Sequence, residues 1–455
     1  MTSSIKNTLA LIGISLASLI GCIDFTIVNT AIPAIQHGLK ADINNLQWVI
    51  NIFILALCSF MVISGRLGDL YGRRKMLYFG MIIFALASLG AGLAFNMTSM
   101  IIFRGLQGFA ATFMYTASGA IISHTFPEDQ RGKAMGILFG INGLGLALGP
   151  VLGGVLISLL SWRWVFFVNL PIIFLSLMIC FWTVQESKSS EPNQTIDWFG
   201  AVFLALGLSC LVLALIQGSS WGWLGLKNIV LYLAGLISLI NLYLTEIKHR
   251  SPIIDFHLFA NRNFFGSSIA SFGLAFFYVP AFFLMPQYLH NIRGQESGMI
   301  GLSMLATTAM IVLLSPMAGK LADKFGTKWV MVLGLIFLAL SAALQSQFSI
   351  YPVTSSLIYV LFAFAVMGIG WSGILGPSTT TAVQSVPTSH AGVAMGSSWT
   401  IHNMGGTIGI AIGMAVYQIF SNTFLQGYSA SMVLLVISSL MAAGLVSVIS
   451  VQRNK

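Results

Sequence analysis

Gly65-Arg66-Leu67-Gly68-Asp69-Leu70-Tyr71-Gly72-Arg73-Arg74-Lys75 is an island of charge in a chain with very little charge elsewhere. Apolar runs long enough to cross a bilayer flank it on both sides, so its charges belong at a membrane face. A weaker copy stands 254 positions later as Gly319-Lys320-Leu321-Ala322-Asp323-Lys324-Phe325-Gly326-Thr327-Lys328. Glycine, cation, glycine or alanine, aspartate, glycine and cation recur in one order. A second match, offset by 260, pairs Pro127-Glu128-Asp129-Gln130-Arg131-Gly132-Lys133-Ala134-Met135-Gly136 with Pro387-Thr388-Ser389-His390-Ala391-Gly392-Val393-Ala394-Met395-Gly396. Duplication on this scale points to a membrane protein built from two similar halves, the organisation of many transporters.

Composition sets the solvent. Of 455 residues, 57% are hydrophobic and 7% charged, against about 25% charged in soluble domains. With a mean hydropathy of +0.90, the chain has the bilayer around it. Backbone groups cannot be left to lipid, and apolar runs of twenty and more residues select helices over the shorter alternating strands of a barrel. The net charge of +9 is spread in small groups between apolar runs, which excludes a nucleic-acid surface and suits topology signals. Cys22, Cys58, Cys180 and Cys210 all fall in apolar runs and read as free thiols without metal spacing. The apolar run after Lys6 is longer than a signal peptide core and carries Asp24, so it reads as a retained first span.

Fourteen spans are expected, near 9–33, 46–65, 76–95, 98–123, 134–159, 163–184, 196–217, 227–247, 265–289, 298–319, 329–348, 354–376, 393–420 and 430–451. An even count places both termini on one side. Sixteen lysines and arginines, among them Lys6, Arg73, Lys133, Lys188, Lys328 and Lys455, share that side, against Lys40, Arg163, Lys227 and Arg293 on the other. The excess puts both termini in the cytoplasm. The repeat divides the chain into an N-terminal six-helix bundle (1–184), a linker with two extra spans (185–262) and a C-terminal six-helix bundle (263–455) in parallel orientation.

On these residues the chain resembles the major facilitator superfamily, and within it the fourteen-span drug:proton antiporters. The opening island is similar to the superfamily's loop 2-3 signature. Asp24-Phe25-Thr26-Ile27-Val28-Asn29-Thr30-Ala31-Ile32-Pro33 resembles the span 1 signature, and Arg104-Gly105-Leu106-Gln107-Gly108 that of span 4. Gly145-Leu146-Ala147-Leu148-Gly149-Pro150-Val151-Leu152-Gly153-Gly154 resembles the antiporter signature of span 5. The resemblance implies an all-α major facilitator fold and export of small amphipathic or hydrophobic compounds against inward proton flow across a bacterial inner membrane. It implies no cofactor, the proton gradient being the energy source, and a monomer that can work with a periplasmic adaptor.

The residues themselves support such chemistry. Asp24 is the one acid placed deep in a span, where an ionised group costs about 2.5 to 3.5 kcal/mol on insertion scales. Desolvation favours a protonated carboxyl and a nearby cation the ionised one, so surroundings that alternate make a proton carrier. The bland alternative is an aspartate that braces a kinked helix. Arg104 is the single cation inside a span, with Gln107 and Gly108 on its face at i+3 and i+4; the expectation is that it tunes Asp24 directly or through Gln107. No charged counterpart stands in the second half, so coupling belongs to the first.

Gly65, Gly68 and Gly72 permit close backbone approach, and Asp69 can meet a helix N-terminus or a cation across the seam between halves as a latch; Arg73 is counted with them among the gating residues. Mere topology by Arg73, Arg74 and Lys75 is the alternative. Gly145, Gly149 and Gly153, with a bend at Pro150, form a smooth ridge, which the resemblance makes a gate against the other half and which spacing alone makes ordinary helix packing. Asn29, Gln47, Asn51, His402 and Asn403, with Phe364, Trp371 and Trp399, are candidate lining for the solute, although such residues also serve as packing. Two other functions stay open: a dedicated exporter of one native metabolite such as a siderophore, and, remotely, an intramembrane serine protease using Gly370-Trp371-Ser372-Gly373 and His402. No phosphate-binding G-x-x-x-x-G-K-[ST] loop is present.

Overall fold

The structure, a computed structural model, describes residues 3–40, 43–188, 196–247, 253–254, 257–295, 297–349 and 356–450. Among these every regular element is helical, as a chain solvated by lipid requires. In order they are α1 (Ser3–Leu39), α2 (Ile43–Tyr71), α3 (Arg73–Gly92), α4 (Met97–Thr125), α5 (Glu128–Leu159), α6 (Trp164–Phe167), α7 (Asn169–Thr183), α8 (Trp198–Ile216), α9 (Gly218–Trp221), α10 (Leu226–Glu246), α11 (His257–Ala260), α12 (Arg262–Asn291), α13 (Ser297–Phe325), α14 (Thr327–Ser346), α15 (Leu357–Ser372), α16 (Leu375–Gln384), α17 (Ala391–Ile419) and α18 (Phe424–Ile449).

Helix starts carry side-chain caps where the sequence supplies them. Asn96 and Ser99 form a reciprocal capping box on α4, and Asp197, Asn261, Ser356 and Thr423 cap α8, α12, α15 and α18. Each satisfies amide donors that a helix entering lipid would otherwise leave bare.

Twelve helical segments among the described residues are long and apolar enough to cross a membrane, counting α6 with α7 and α15 with α16 as one each. The expected fourteen also include α4 and α17, each 29 residues long, which fall short in apolarity. The cause is composition: α4 carries Arg104, Gln107, Thr112, Thr116 and Ser118, and α17 carries Ser397, Ser398, Thr400 and His402, all buried in protein. A helix with little lipid contact has no need of a lipophilic surface. The span expected to end near 376 instead continues to Gln384 through an interruption at Gly373 and Ile374.

Two compact units emerge. The first holds residues 1–127, 148–256 and 386–400. Here α3 and α2 pack on α4, α1 packs on α7, and α8 packs on both α10 and α2. A hydrogen bond of 2.7 Å between the Ser59 and Ser209 hydroxyls joins α2 to α8, so the extra helices belong with the first bundle. The second unit holds residues 128–147, 257–385 and 401–455, with α14 against α18 and α13 against α15. The heads of α5 and α17 therefore cluster with the opposite half of the chain from the one that encodes them.

Candidate functional site

Asp24 and Arg104 meet inside the first unit. Arg104 Nη1 on α4 donates to Asp24 Oδ2 on α1 as an ion pair. Gln107 Nε2 donates to Asp24 Oδ1 at 3.1 Å and Asn169 Nδ2 donates to the same oxygen at 3.0 Å. Ser88 Oγ on α3 accepts from Gln107 at 2.8 Å and from Asn169 at 3.3 Å. All five side chains are essentially sealed, Arg104 being 1% exposed and the others 0%.

Arg104 is held from three further sides. Its Nε donates to the Val49 carbonyl at 2.9 Å, Nη1 donates to Gln107 Oε1 at 2.8 Å, and its guanidinium lies 4.6 Å from the Phe53 ring centre. A buried ion pair is tolerable only with such additional partners, and removing one member typically costs about 3–5 kcal/mol. The helical spacing explains the arrangement, since residues 104 and 107 lie on one face of α4. Asn169 opens α7 immediately after the break at Val168. Sequence reasoning anticipated Asp24, Arg104 and Gln107 but missed Asn169 and Ser88; an asparagine opening an otherwise apolar run was the available signal.

The quoted island builds a second device. Gly72 caps α3 at φ 113, a left-handed conformation suited to glycine. Glu186, beyond α7, accepts from the Arg74 and Lys75 amides at 3.1 and 3.2 Å, placing a carboxylate on the head of α3. Asp69 is sealed and paired with Arg73 at 2.8 Å. Its two oxygens also accept from the amides of Gly392 and Val393 at 3.0 and 2.9 Å, in the first turn of α17. A side-chain carbon at Gly65 would collide with the Gly392 carbonyl, so glycine is needed for that approach. Gly68 is the looser of the island's glycines, its nearest neighbour being Arg73.

The second copy does the same in the second unit. Asp323 accepts from the Gly132 and Lys133 amides, both at 3.0 Å, in the first turns of α5. The two internal repeats thus engage each other reciprocally: residues 69 and 323 are the gripping acids, and residues 392–393 and 132–133, offset by 260, are the amides gripped. The copies were legible in the sequence. Their partners, being backbone amides, carry no side-chain signature.

The glycine ridge of α5 departs from expectation. Side-chain carbons at Gly149 and Gly153 would collide with or crowd Thr26, Ile27 and Thr30 of α1, within the first unit, whereas the sequence reading set this ridge against the other half. Thr26 and Thr30 are one helical turn apart, as are Gly149 and Gly153, so the small faces of α1 and α5 interdigitate. The contact begins two residues from Asp24. Gly145 is buried and Pro150, inside the helix, is exposed.

The solute candidates fall into separate places. In the second unit Tyr278 lies 4.3 Å from Trp371 and 5.7 Å from the His402 ring, and Phe282 lies 6.0 Å from Trp371. His402 Nδ1 is 3.2 Å from Ser271 Oγ. In the first unit Trp399 stacks on Tyr115 at 5.2 Å. Phe364 is sealed, its carbonyl accepting from Thr307 at 2.9 Å. Asn29 is exposed and bonds its own helix at Phe25, while Asn51 and Asn403 are partly buried. The side chain of Gln47 lies outside the described residues. Ser372 Oγ donates to the Gly368 and Met310 carbonyls at 2.8 and 3.3 Å, an arrangement of a packing serine and not of a nucleophile aimed at His402.

The model of the family described as Major Facilitator Superfamily matches residues 14–410 and again 264–454. The chain is 32% identical over 406 residues to the multidrug resistance protein Stp of Mycobacterium tuberculosis, covering 89% of this chain and 74% of that protein. It is 28% identical over 402 residues to the tetracenomycin C resistance and export protein of Streptomyces glaucescens, covering 88% and 74%. Among solved structures it resembles the proton:xylose symporter XylE with a TM-score of 0.71 at 15% identity, over 97% of this chain and 95% of that one, a likeness of fold alone.

Proposed function

Because the chain belongs to the major facilitator superfamily and, within it, to the drug:proton antiporter family, we propose that this multi-pass membrane transporter exports small amphipathic or hydrophobic compounds in exchange for protons. The observation that carries the reading is the sealed Asp24 carboxylate, which accepts from Arg104, Gln107 and Asn169 at once. The printed names of the multidrug and tetracenomycin C relatives support export as the direction. The excess of lysine and arginine on one side supports a cytoplasmic location for both termini.

In this mechanism ionised Asp24 is the partner that Arg104 needs in the buried state. Protonation cancels that charge, and the guanidinium is then a buried cation without its counter-ion, a condition relieved only by rearrangement of α1 against α4. Linkage of about 1–3 kcal/mol between protonation and the binding of solute is enough to make one displace the other. The Asp69 and Asp323 grips hold the heads of α17 and α5 in one state and release them in the alternate one. Gly149 and Gly153 transmit movement of α1, since they touch it one turn from the acid.

The test is proton counterflow. Purified protein is reconstituted into vesicles that enclose a pH-sensitive dye, and a lipophilic cation such as tetraphenylphosphonium is supplied on one side. Antiport predicts a proton flux opposite to and dependent on movement of the compound. Movement of the compound with no accompanying proton flux contradicts the proposal.

A further inference from the structure

Midway along α5, fourteen residues from Glu128 and seventeen from Leu159, the second unit contains an asparagine that the coupling scheme does not use. Asn142 is 3% exposed, and neither its Nδ2 nor its Oδ1 has a hydrogen-bond partner. A carboxamide offers two donors and two acceptor lone pairs. Leaving them bare in a buried place costs about 1–3 kcal/mol, so the side chain is suited to a partner that arrives. The repeat offset of 260 makes His402 its counterpart, but His402 has satisfied itself locally on Ser271 and Tyr278.

A second unpartnered donor sits at the same level. The indole Nε1 of Trp371, 3% exposed, has no acceptor. Helix α13 sets the level: Ile311 fills the space facing Gly143, next to Asn142, and the carbonyl of Met310 accepts from Ser372, next to Trp371. Gly376 of α16 closes the arrangement, since a side-chain carbon there would rest 3.6 Å from Gly136 and 3.7 Å from Phe139 of α5. The ring of Tyr278, 4.3 Å from that of Trp371, and Phe282 supply aromatic surface. The His402 ring, 5.7 Å from that of Tyr278, borders the group and is held by Ser271.

We infer that Asn142 and Trp371 form a polar recognition point, within an aromatic wall, for a neutral planar aromatic solute that bears a carbonyl next to an N–H or O–H. The solute's N–H or O–H donates to Asn142 Oδ1, and its carbonyl accepts from Trp371 Nε1 and Asn142 Nδ2. Flat rings find stacking partners in Tyr278 and Trp371. The inference deepens the export reading and rests on it for its meaning, since it names the class of compound exported.

The test is a matched pair of probes: phenanthridin-6(5H)-one, a planar lactam, and its N-methyl derivative, in which a methyl group replaces the N–H hydrogen. Their binding to the purified full chain is measured by equilibrium dialysis, with folding of each variant checked by its melting curve. The native chain is expected to hold the lactam roughly tenfold more tightly than the N-methyl compound, the effect of one satisfied buried partner. Asn142→Leu should bring that ratio to about one. Trp371→Phe, which keeps a ring and removes the donor, should weaken both probes several-fold and leave the ratio intact; it decides the matter if Asn142→Leu does not fold. A native ratio near one, a ratio unchanged in Asn142→Leu, or unaltered binding in Trp371→Phe overturns the inference and assigns the bare groups to trapped water. Binding needs no gradient, so failure of proton-driven export and failure of this subsite are read separately.

Discussion

Asp69→Asn is the most informative perturbation of the latch. The carboxylate is 0% exposed and has three described partners, Arg73 at 2.8 Å and the Gly392 and Val393 amides at 3.0 and 2.9 Å. An asparagine can accept at one oxygen only, so its amide nitrogen must face either a guanidinium or a backbone N–H, donor against donor. Arg73, 1% exposed, loses this carboxylate, and breaking such a buried pair costs about 3–5 kcal/mol. At about 1.4 kcal/mol per tenfold, release of the head of α17 becomes roughly 10²- to 4 × 10³-fold more frequent. Hydrogen exchange at Gly392 and Val393 reads this directly, as lost protection confined to the first turns of α17. The double variant Asp69→Asn with Arg73→Gln should be less perturbed than the sum of its parts, because the charge that lost its carboxylate is gone. Unchanged protection at residues 392 and 393 in folded Asp69→Asn would refute the grip, and strict additivity of the pair would refute the charge argument.

Other expectations follow from the same contacts. Asp323→Asn should loosen the amides of Gly132 and Lys133, which its two oxygens hold at 3.0 Å, by about 1–3 kcal/mol; hydrogen exchange at residues 132 and 133 reads the loss, and unchanged protection there removes the second grip. Gly149→Leu forces a side chain into Thr26 and should cost about 1–3 kcal/mol of stability and abolish transport, as melting curves and vesicle uptake will show; full activity removes α1 contact from the mechanism. Asn169→Leu deletes one of the donors to Asp24 and should slow gradient-driven transport roughly tenfold, the effect of about 1.4 kcal/mol, while the protein stays folded; an unaffected rate makes Asn169 a bystander.

What the sequence revealed and what it hid have a common physical cause. Charge inside a bilayer is costly, so Asp24 and Arg104 stood out against an apolar background; the structure pairs them across α1 and α4. The islands at 65–75 and 319–328 stood out for the same reason. Ser88 and Asn142 are uncharged and sit among apolar neighbours, so composition gave them no prominence and only their hydrogen bonding, or its absence, distinguishes them; Asn169 left the weaker signal of an asparagine opening an apolar run. Backbone amides as the partners of Asp69 and Asp323 leave no trace in side-chain patterns. The ridge at Gly149 and Gly153 was visible as spacing, but spacing does not name the helix that lies on it, and that helix is α1. Helices α4 and α17 were counted as spans from their bounding charges and loops, although burial has relieved them of the apolarity that marks lipid-facing helices.

The central claim is that the Asp24 and Arg104 pair links proton entry to export. Its most direct measurement is efflux of a fluorescent lipophilic cation from vesicles, with and without a pH gradient, in native protein and in Asp24→Asn matched for amount and folding. The account predicts gradient-dependent efflux in the native protein and none above the gradient-free rate in the variant. Full gradient-driven efflux by Asp24→Asn would contradict it.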